Sequence, residues 1–466
     1  MPNKHEEPNQ SAPVAKDLHA PKPHLNRPTN FGGGGHSLIL TSRMFESMHN
    51  PNFRLLWIAM MGQMGSMNMQ MVARAWYMYE LTGSATLLGL TGLANGLPML
   101  TLSLFGGVIA DQVQKKNILL VGQACSASIS FGIALLIVSG FITWQFLLVA
   151  SFLQGCVMAL MMPSRQAIIP EIVGEEGLTN AIALNAAGMN INRLLAPATT
   201  GILIALVGID AVYFTMTALY IVAIVFIIPL PPTGTMSIRG GGALHETIAG
   251  LRYVKDNHVL TSLLFLTLIG VALSMPFMML LPIFTKDVIT LEASDTLWLM
   301  DIPVIGGLLK DLPGLLADSA FRLGALMTVS GIGALVGSLI VAAMGDQKRG
   351  LVYLYSMLIT GVGLLAFSMS PWYFLSVAIA IPIGLGQAGR MALSNALVQA
   401  YAEDTYRGRV MSIYMMEFGI TNFGVFGVAV VADWVGISFA IGTMAAVLVL
   451  ITLYYIFRVP LIRKLD

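Results

Sequence analysis

Long apolar runs separated by brief polar breaks dominate this sequence. About 20 apolar residues cross a hydrocarbon core as a helix, and on that criterion the pattern predicts twelve spans. They are 53–79, 85–110, 117–139, 143–168, 181–207, 211–230, 258–284, 321–344, 351–369, 372–400, 408–432 and 436–458. Barrel strands are half as long and alternate in polarity, so the runs are helices. The expected fold class is an all-α polytopic membrane protein, with twelve transmembrane helices in two pseudo-symmetric six-helix bundles. One polar break stands out: Gly107 and Asp111 precede Lys115-Lys116 between the second and third runs, and a looser copy with Asp346 lies between the eighth and ninth.

Composition agrees with the pattern. Of 466 residues, 56% are hydrophobic and 11% charged, about half the charged fraction of a soluble domain. Charge placement says more than the net charge of +1. With the N-terminus inside, 19 of the 25 Lys and Arg fall on the cytoplasmic side, as short loops of inner-membrane proteins require. The expected location is therefore the cell inner (plasma) membrane, with both termini cytoplasmic. Residues 1–50 form a polar extension without the apolar core of a signal peptide. Residues 51–230 make the first bundle, 231–257 a cytoplasmic linker, and 258–458 the second bundle with an external insertion at 286–320. Residues 459–466 are a short tail. Cys125 and Cys156 fall inside spans and read as buried thiols.

The halves repeat. At an offset of 229, Gln166-Ala167-Ile168 falls on Asn395-Ala396-Leu397 and Glu175 on Asp404, while Asp111 and Asp346 match at 235. Repeated bundles related by an axis along the membrane normal are a transporter architecture.

Ionisable groups at membrane depth are costly and mark candidate sites. Glu417 lies about 12 Å into its span and Arg390 about 16 Å into the preceding one. Such depths allow either a proton-sensitive Arg390–Glu417 switch or a static ion pair holding the second bundle. Arg193 lies near mid-depth beside Asn190 and Asn192. Arg74, close to the outer surface, either snorkels there or serves an outer cavity. A soft stripe of Met64, Met67 and Met71 with Gln63 and Asn68 occupies the first span, and Met158 and Met275 add to it. Met-rich surfaces accept varied apolar ligands, although any single Met serves equally well against lipid. No His/Cys spacing suits a metal, and no phosphate loop or hydrolytic constellation is present, so the chain is expected to be no enzyme, to need no cofactor and to bind no nucleic acid.

Several stretches carry a family resemblance. They are Asn52-Phe53-Arg54, Tyr79-Glu80-Leu81-Thr82-Gly83-Ser84, the Gly107…Asp111 joint, Pro163-Ser164-Arg165-Gln166 and Asn192-Arg193…Ala196-Pro197…Gly201. The chain resembles a major facilitator superfamily transporter, in the branch of enterobactin exporters and macrolide efflux proteins. That resemblance implies a monomeric secondary transporter exporting an amphiphilic small molecule, siderophore-like or drug-like, by alternating access with proton coupling. It also implies that spans one, four and seven line the cavity. A cytoplasmic gate would comprise Gly107, Asp111, Lys115, Lys116, Arg165, Asp346, Arg407 and Arg409. The sequence departs from the resembled pattern at Gln112, Gln114 and Ser151, the last standing where proton-coupled exporters carry an Arg. The competing expectation is a non-transporting receptor or scaffold that uses the 286–320 loop.

Overall fold

The computed structural model describes residues 46–110, 113–234, 243–290, 312–345 and 348–465. Within them the first half builds α1 Pro51–Thr82, α2 Ala85–Ala110, α3 Lys115–Val138, α4 Trp144–Gly174, α5 at 175–206 and α6 Ile209–Ile227. A linker helix, α7 Ala243–Asp256, leads to the second half. There α8 His258–Ile283 runs into a π-helical turn at Phe284–Val288, and α9 Leu312–Ala317 is short. The remaining elements are α10 Ser319–Ala343, α11 Arg349–Ser368, α12 Tyr373–Tyr401, α13 Asp404–Val435, α14 Ile437–Arg458 and the terminal turn α15 Pro460–Arg463.

Ten of these helices are long and apolar enough to cross a membrane. The two further long helices, α1 and α5, carry more polar side chains, among them Gln63, Gln70 and Arg74 on α1 and Asn185, Asn192 and Arg193 on α5. Their composition suits interior positions. Ser66 Oγ of α1 donates to the Met216 carbonyl of α6 at 3.2 Å, and Asn192 Nδ2 of α5 lies 3.4 Å from Met61 Sδ of α1.

Local chemistry sets the element ends. Asn50 caps α1 by accepting from Asn52 N (3.0 Å) and Phe53 N (3.3 Å), while its Nδ2 donates to the Ile172 carbonyl. Asn257 caps α8, and Asp318 caps α10 at 2.7 and 3.2 Å, each satisfying N–H groups that a helix start leaves open. The expected loop between spans four and five is instead helical up to and beyond a single break. Gly174, at φ 69° and ψ −178°, adopts a conformation that residues with a Cβ rarely reach, and this one residue separates α4 from α5.

Candidate functional site

The two halves meet along α2 with α13 and α5 with α10. Both seams run on small residues, which let helix backbones approach closely. A Cβ on Gly89 would lie 2.5 Å from that of Ala429, and one on Gly96 would meet Asn422. Gly201 and Gly324 face each other, so that a Cβ on Gly324 would lie 2.6 Å from the Pro197 carbonyl oxygen.

One end of the interface, opposite the linker, is tied by polar contacts between halves. Lys286 Nζ meets Glu80 Oε2 at 2.8 Å, and the Tyr79 hydroxyl donates to Asp287. Trp76 Nε1 donates to Ser319 Oγ at 3.3 Å. Asp433, at the end of α13, accepts from Ser84 Oγ (2.9 Å), Ala85 N (2.8 Å) and Thr86 N (2.8 Å). It thereby caps α2 from the other half of the molecule, where the helix dipole favours a carboxylate.

Toward the linker end the α5–α10 seam opens. On α5 the stripe Ala196, Pro197, Thr200, Gly201 and Ile204 is buried, while its continuation Ile182, Ala186, Met189 and Arg193 is exposed. The matching stripe of α10 behaves alike: Ala320, Gly324 and Gly331 are buried, and Leu335 and Leu339 exposed. Two helices thus change from contact to exposure at one level, near Arg193 and Gly331, where the Arg193 carbonyl lies 3.4 Å from the position of a Gly331 Cβ.

Each half encloses a buried polar cluster. In the second, Arg390 of α12 and Glu417 of α13 are each only 5% exposed. They lie close enough to interact through their charges, but they are not among the ion pairs within 4.0 Å, and Arg390 Nε has no hydrogen-bond partner. The expected pair is therefore an electrostatic neighbourhood without a direct contact. Around it, Tyr353 and Thr267 hydroxyls meet at 3.1 Å and those of Tyr414 and Ser394 at 3.1 Å.

The first bundle's cluster holds a cation without a carboxylate. Arg74 is half-buried: its Nη1 is enclosed without a hydrogen-bond partner, and the neighbours that interact with its charge are Tyr213 and Tyr220 of α6. Ser151, by contrast, simply returns its hydroxyl to the Leu147 carbonyl at 2.7 Å.

The other sequence-derived candidates distribute unevenly. Gln63 and Met64 are buried on α1, and Met158 belongs to the apolar core of the first bundle. Met67, Asn68, Met71 and Met275 are half-buried, with Asn68 Nδ2 donating to the Met64 carbonyl at 2.8 Å. Of the gate residues, Gly107 lies in α2, while Asp111 and Asp346 fall outside the described residues. Lys115 pairs with Glu171 at 2.7 Å, and Lys116 Nζ donates to the Ile228 and Leu230 carbonyls at 2.7 and 2.5 Å. Both lysines bind α3 to other parts of the first half. Arg165 is buried on α4. Arg407 donates to the Gln399 carbonyl at 3.1 Å, and Arg409 sits over the Tyr406 ring at 5.4 Å. The cysteines are free, and contrary to the expectation of buried thiols Cys125 is exposed and Cys156 half-buried. Residues 291–311 of the insertion lie outside the described residues. Asp433 and the tyrosines of α6 escaped sequence reasoning, since only tertiary register brings them to their partners.

Residues 42–301 match the family described as transmembrane secretion effector, and residues 305–464 match the major facilitator superfamily. The chain belongs to the major facilitator superfamily. It is similar to the staphyloferrin A transporter of Staphylococcus aureus, at 23% identity over 82% of this chain and 90% of that one. Its similarity to the multidrug efflux pump Tap of Mycobacterium tuberculosis is also 23%, over 91% and 96%. Among solved structures, the nucleoside transporter NupG superposes with a TM-score of 0.64 at 14% identity, over 86% of this chain and 99% of that one. This major facilitator protein is a multi-pass integral membrane transporter and not an enzyme.

Proposed function

We propose that this transporter exports an amphiphilic small molecule, siderophore-like or drug-like, by rocking its halves about the level of Arg193, with proton coupling at the Arg390–Glu417 neighbourhood. The observation that carries alternating access is the asymmetric interface: stripes on α5 and α10 are covered at one end and exposed at the other. The distribution of Lys and Arg supports placing the exposed end, the linker and both termini in the cytoplasm. The substrate class rests on relatives named for a siderophore and for multiple drugs. Met67, Met71 and Met275, half-buried on α1 and α8, suit soft apolar ligands, with Asn68 as a polar handle.

Placement supports proton coupling. A carboxylate buried near a guanidinium it does not touch can exchange that neighbour for a proton or a substrate charge as the cavity changes its access. The test is transport in proteoliposomes across siderophore and drug panels, with and without an imposed pH gradient. Wild type is expected to accelerate with the gradient, and Glu417→Gln to transport at a gradient-independent rate. Unchanged gradient dependence in Glu417→Gln would remove the coupling site, and no transport of any compound would remove the substrate class.

A further inference from the structure

The first bundle's interior contains an unusual set of open polar atoms. Arg74 Nη1, Gln123 Nε2 and Oε1, Ser130 Oγ, Gln154 Oε1 and Tyr220 OH are all buried without a hydrogen-bond partner. They share one region. Gln123, Ser126 and Ser130 lie on one face of α3 at intervals of three and four residues. Gln154 Nε2 of α4 donates to Ser126 Oγ at 3.1 Å. The Tyr220 hydroxyl lies beside the same Ser126 and close to the Arg74 charge. Four helices, α1, α3, α4 and α6, thus turn polar groups toward one interior, and its formal charge is the guanidinium.

Native interiors leave few polar groups open, and Arg74, half-buried with its Nη1 enclosed, carries a charge that such a setting disfavours without a counter-charge. The second bundle answers Arg390 with Glu417, but Arg74 makes no ion pair among the described residues. Arg74 and the Gln123 amide offer N–H donors, the Ser130 and Tyr220 hydroxyls can donate or accept, and only the amide oxygens of Gln123 and Gln154 are confined to accepting. Water alone would supply hydrogen bonds to these groups but no counter-charge. We propose that this interior binds a small monovalent anion, with Arg74 as its counter-ion and Gln123, Ser130 and Tyr220 as hydrogen-bond donors. Chloride and a carboxylate group present the same chemistry to such donors.

The site is independent of the export reading, and its test involves no transport. The full chain, purified in detergent, is unfolded thermally while chloride replaces gluconate at fixed ionic strength, with acetate replacing gluconate in a parallel arm. Wild type is expected to gain Tm saturably with chloride; a gain with acetate as well would assign the site to carboxylates in general, and none with acetate to halide. Arg74→Gln should raise the half-saturating chloride concentration by about tenfold or more, as loss of a charged hydrogen bond implies. Ser130→Ala should raise it less. Hydrogen exchange on wild type provides a reading without variants: chloride should slow exchange around residues 119–134 of α3. A Tm indifferent to the anion, or exchange there unchanged by both anions, would mean that water alone fills the interior and would overturn the proposal. So would a chloride response surviving intact in Arg74→Gln.

Discussion

At the scale of single residues, the two bundles solve one problem differently. A charged group in an apolar run is visible in sequence because it is out of place, so Arg74, Arg193, Arg390 and Glu417 were all legible as candidates. Their partners were not. Tyr213 and Tyr220 are unremarkable in an apolar helix until α6 is laid against α1, where they lie beside the half-buried Arg74. The same limit applies to Arg390 and Glu417, whose similar depths are readable but whose separation is not. Their coupling is measurable. Arg390→Gln leaves Glu417 without its nearby cation, and loss of one member of a buried charged set costs about 3–5 kcal/mol. The double variant with Glu417→Gln should recover about 1 kcal/mol or more of that loss, measured by unfolding in detergent. Strict additivity would show the two to be independent.

At the scale of elements, the apolar pattern located the long helices within a few residues, because hydropathy and helix length are local properties. It missed the α4–α5 joint, where helix continues through the expected loop and only Gly174 turns the chain. It also could not show which helices meet across the halves. The glycines of those seams make a wedge experiment direct. Gly324→Val would push a side chain into the Pro197 carbonyl, whose oxygen lies 2.6 Å from an added Cβ. The contact between α5 and α10 should loosen, and a single cysteine placed nearby on α10 should label at least several-fold faster with a membrane-impermeant maleimide applied from the far side. An unchanged labelling rate would show that the seam tolerates the wedge. Asp433→Ala removes the cap that α13 lends to α2. By analogy with ordinary N-caps it should weaken the closed arrangement by about 1 kcal/mol, and the same labelling assay reads it.

At the scale of the whole molecule, the repeat made two bundles legible, and superfamily membership bears out the transporter fold. The linker adds a point that the pattern did not contain. Tyr253 of α7 stacks on Tyr406 with ring centroids 4.3 Å apart and planes 3° from parallel, and its hydroxyl accepts from Glu403 N at 3.3 Å. The α7 helix is therefore docked on the start of α13. Tyr253→Ala should free it, and limited proteolysis should then cut within residues 249–256 faster than in wild type; equal rates would show the stack to be dispensable. Orientation is checked separately by fusing a cytoplasm-dependent fluorescent reporter to the C-terminus, which is expected to fluoresce.

The contacts around Asp433 also bear on which way the molecule faces when idle. Opening at that end must surrender the three bonds to Asp433, the Tyr79–Asp287 and Trp76–Ser319 hydrogen bonds and the Lys286–Glu80 pair before anything is gained in return. Each 1.4 kcal/mol of such cost depletes the open population tenfold, and a ligand approaching from that side binds more weakly in proportion to the scarcity of the form that accepts it. A ligand approaching from the linker side meets the waiting conformer and bears no such dilution. The same pocket would then display two apparent affinities, one for each side of the membrane, and the ratio between them would report the combined strength of these five hydrogen bonds and one ion pair.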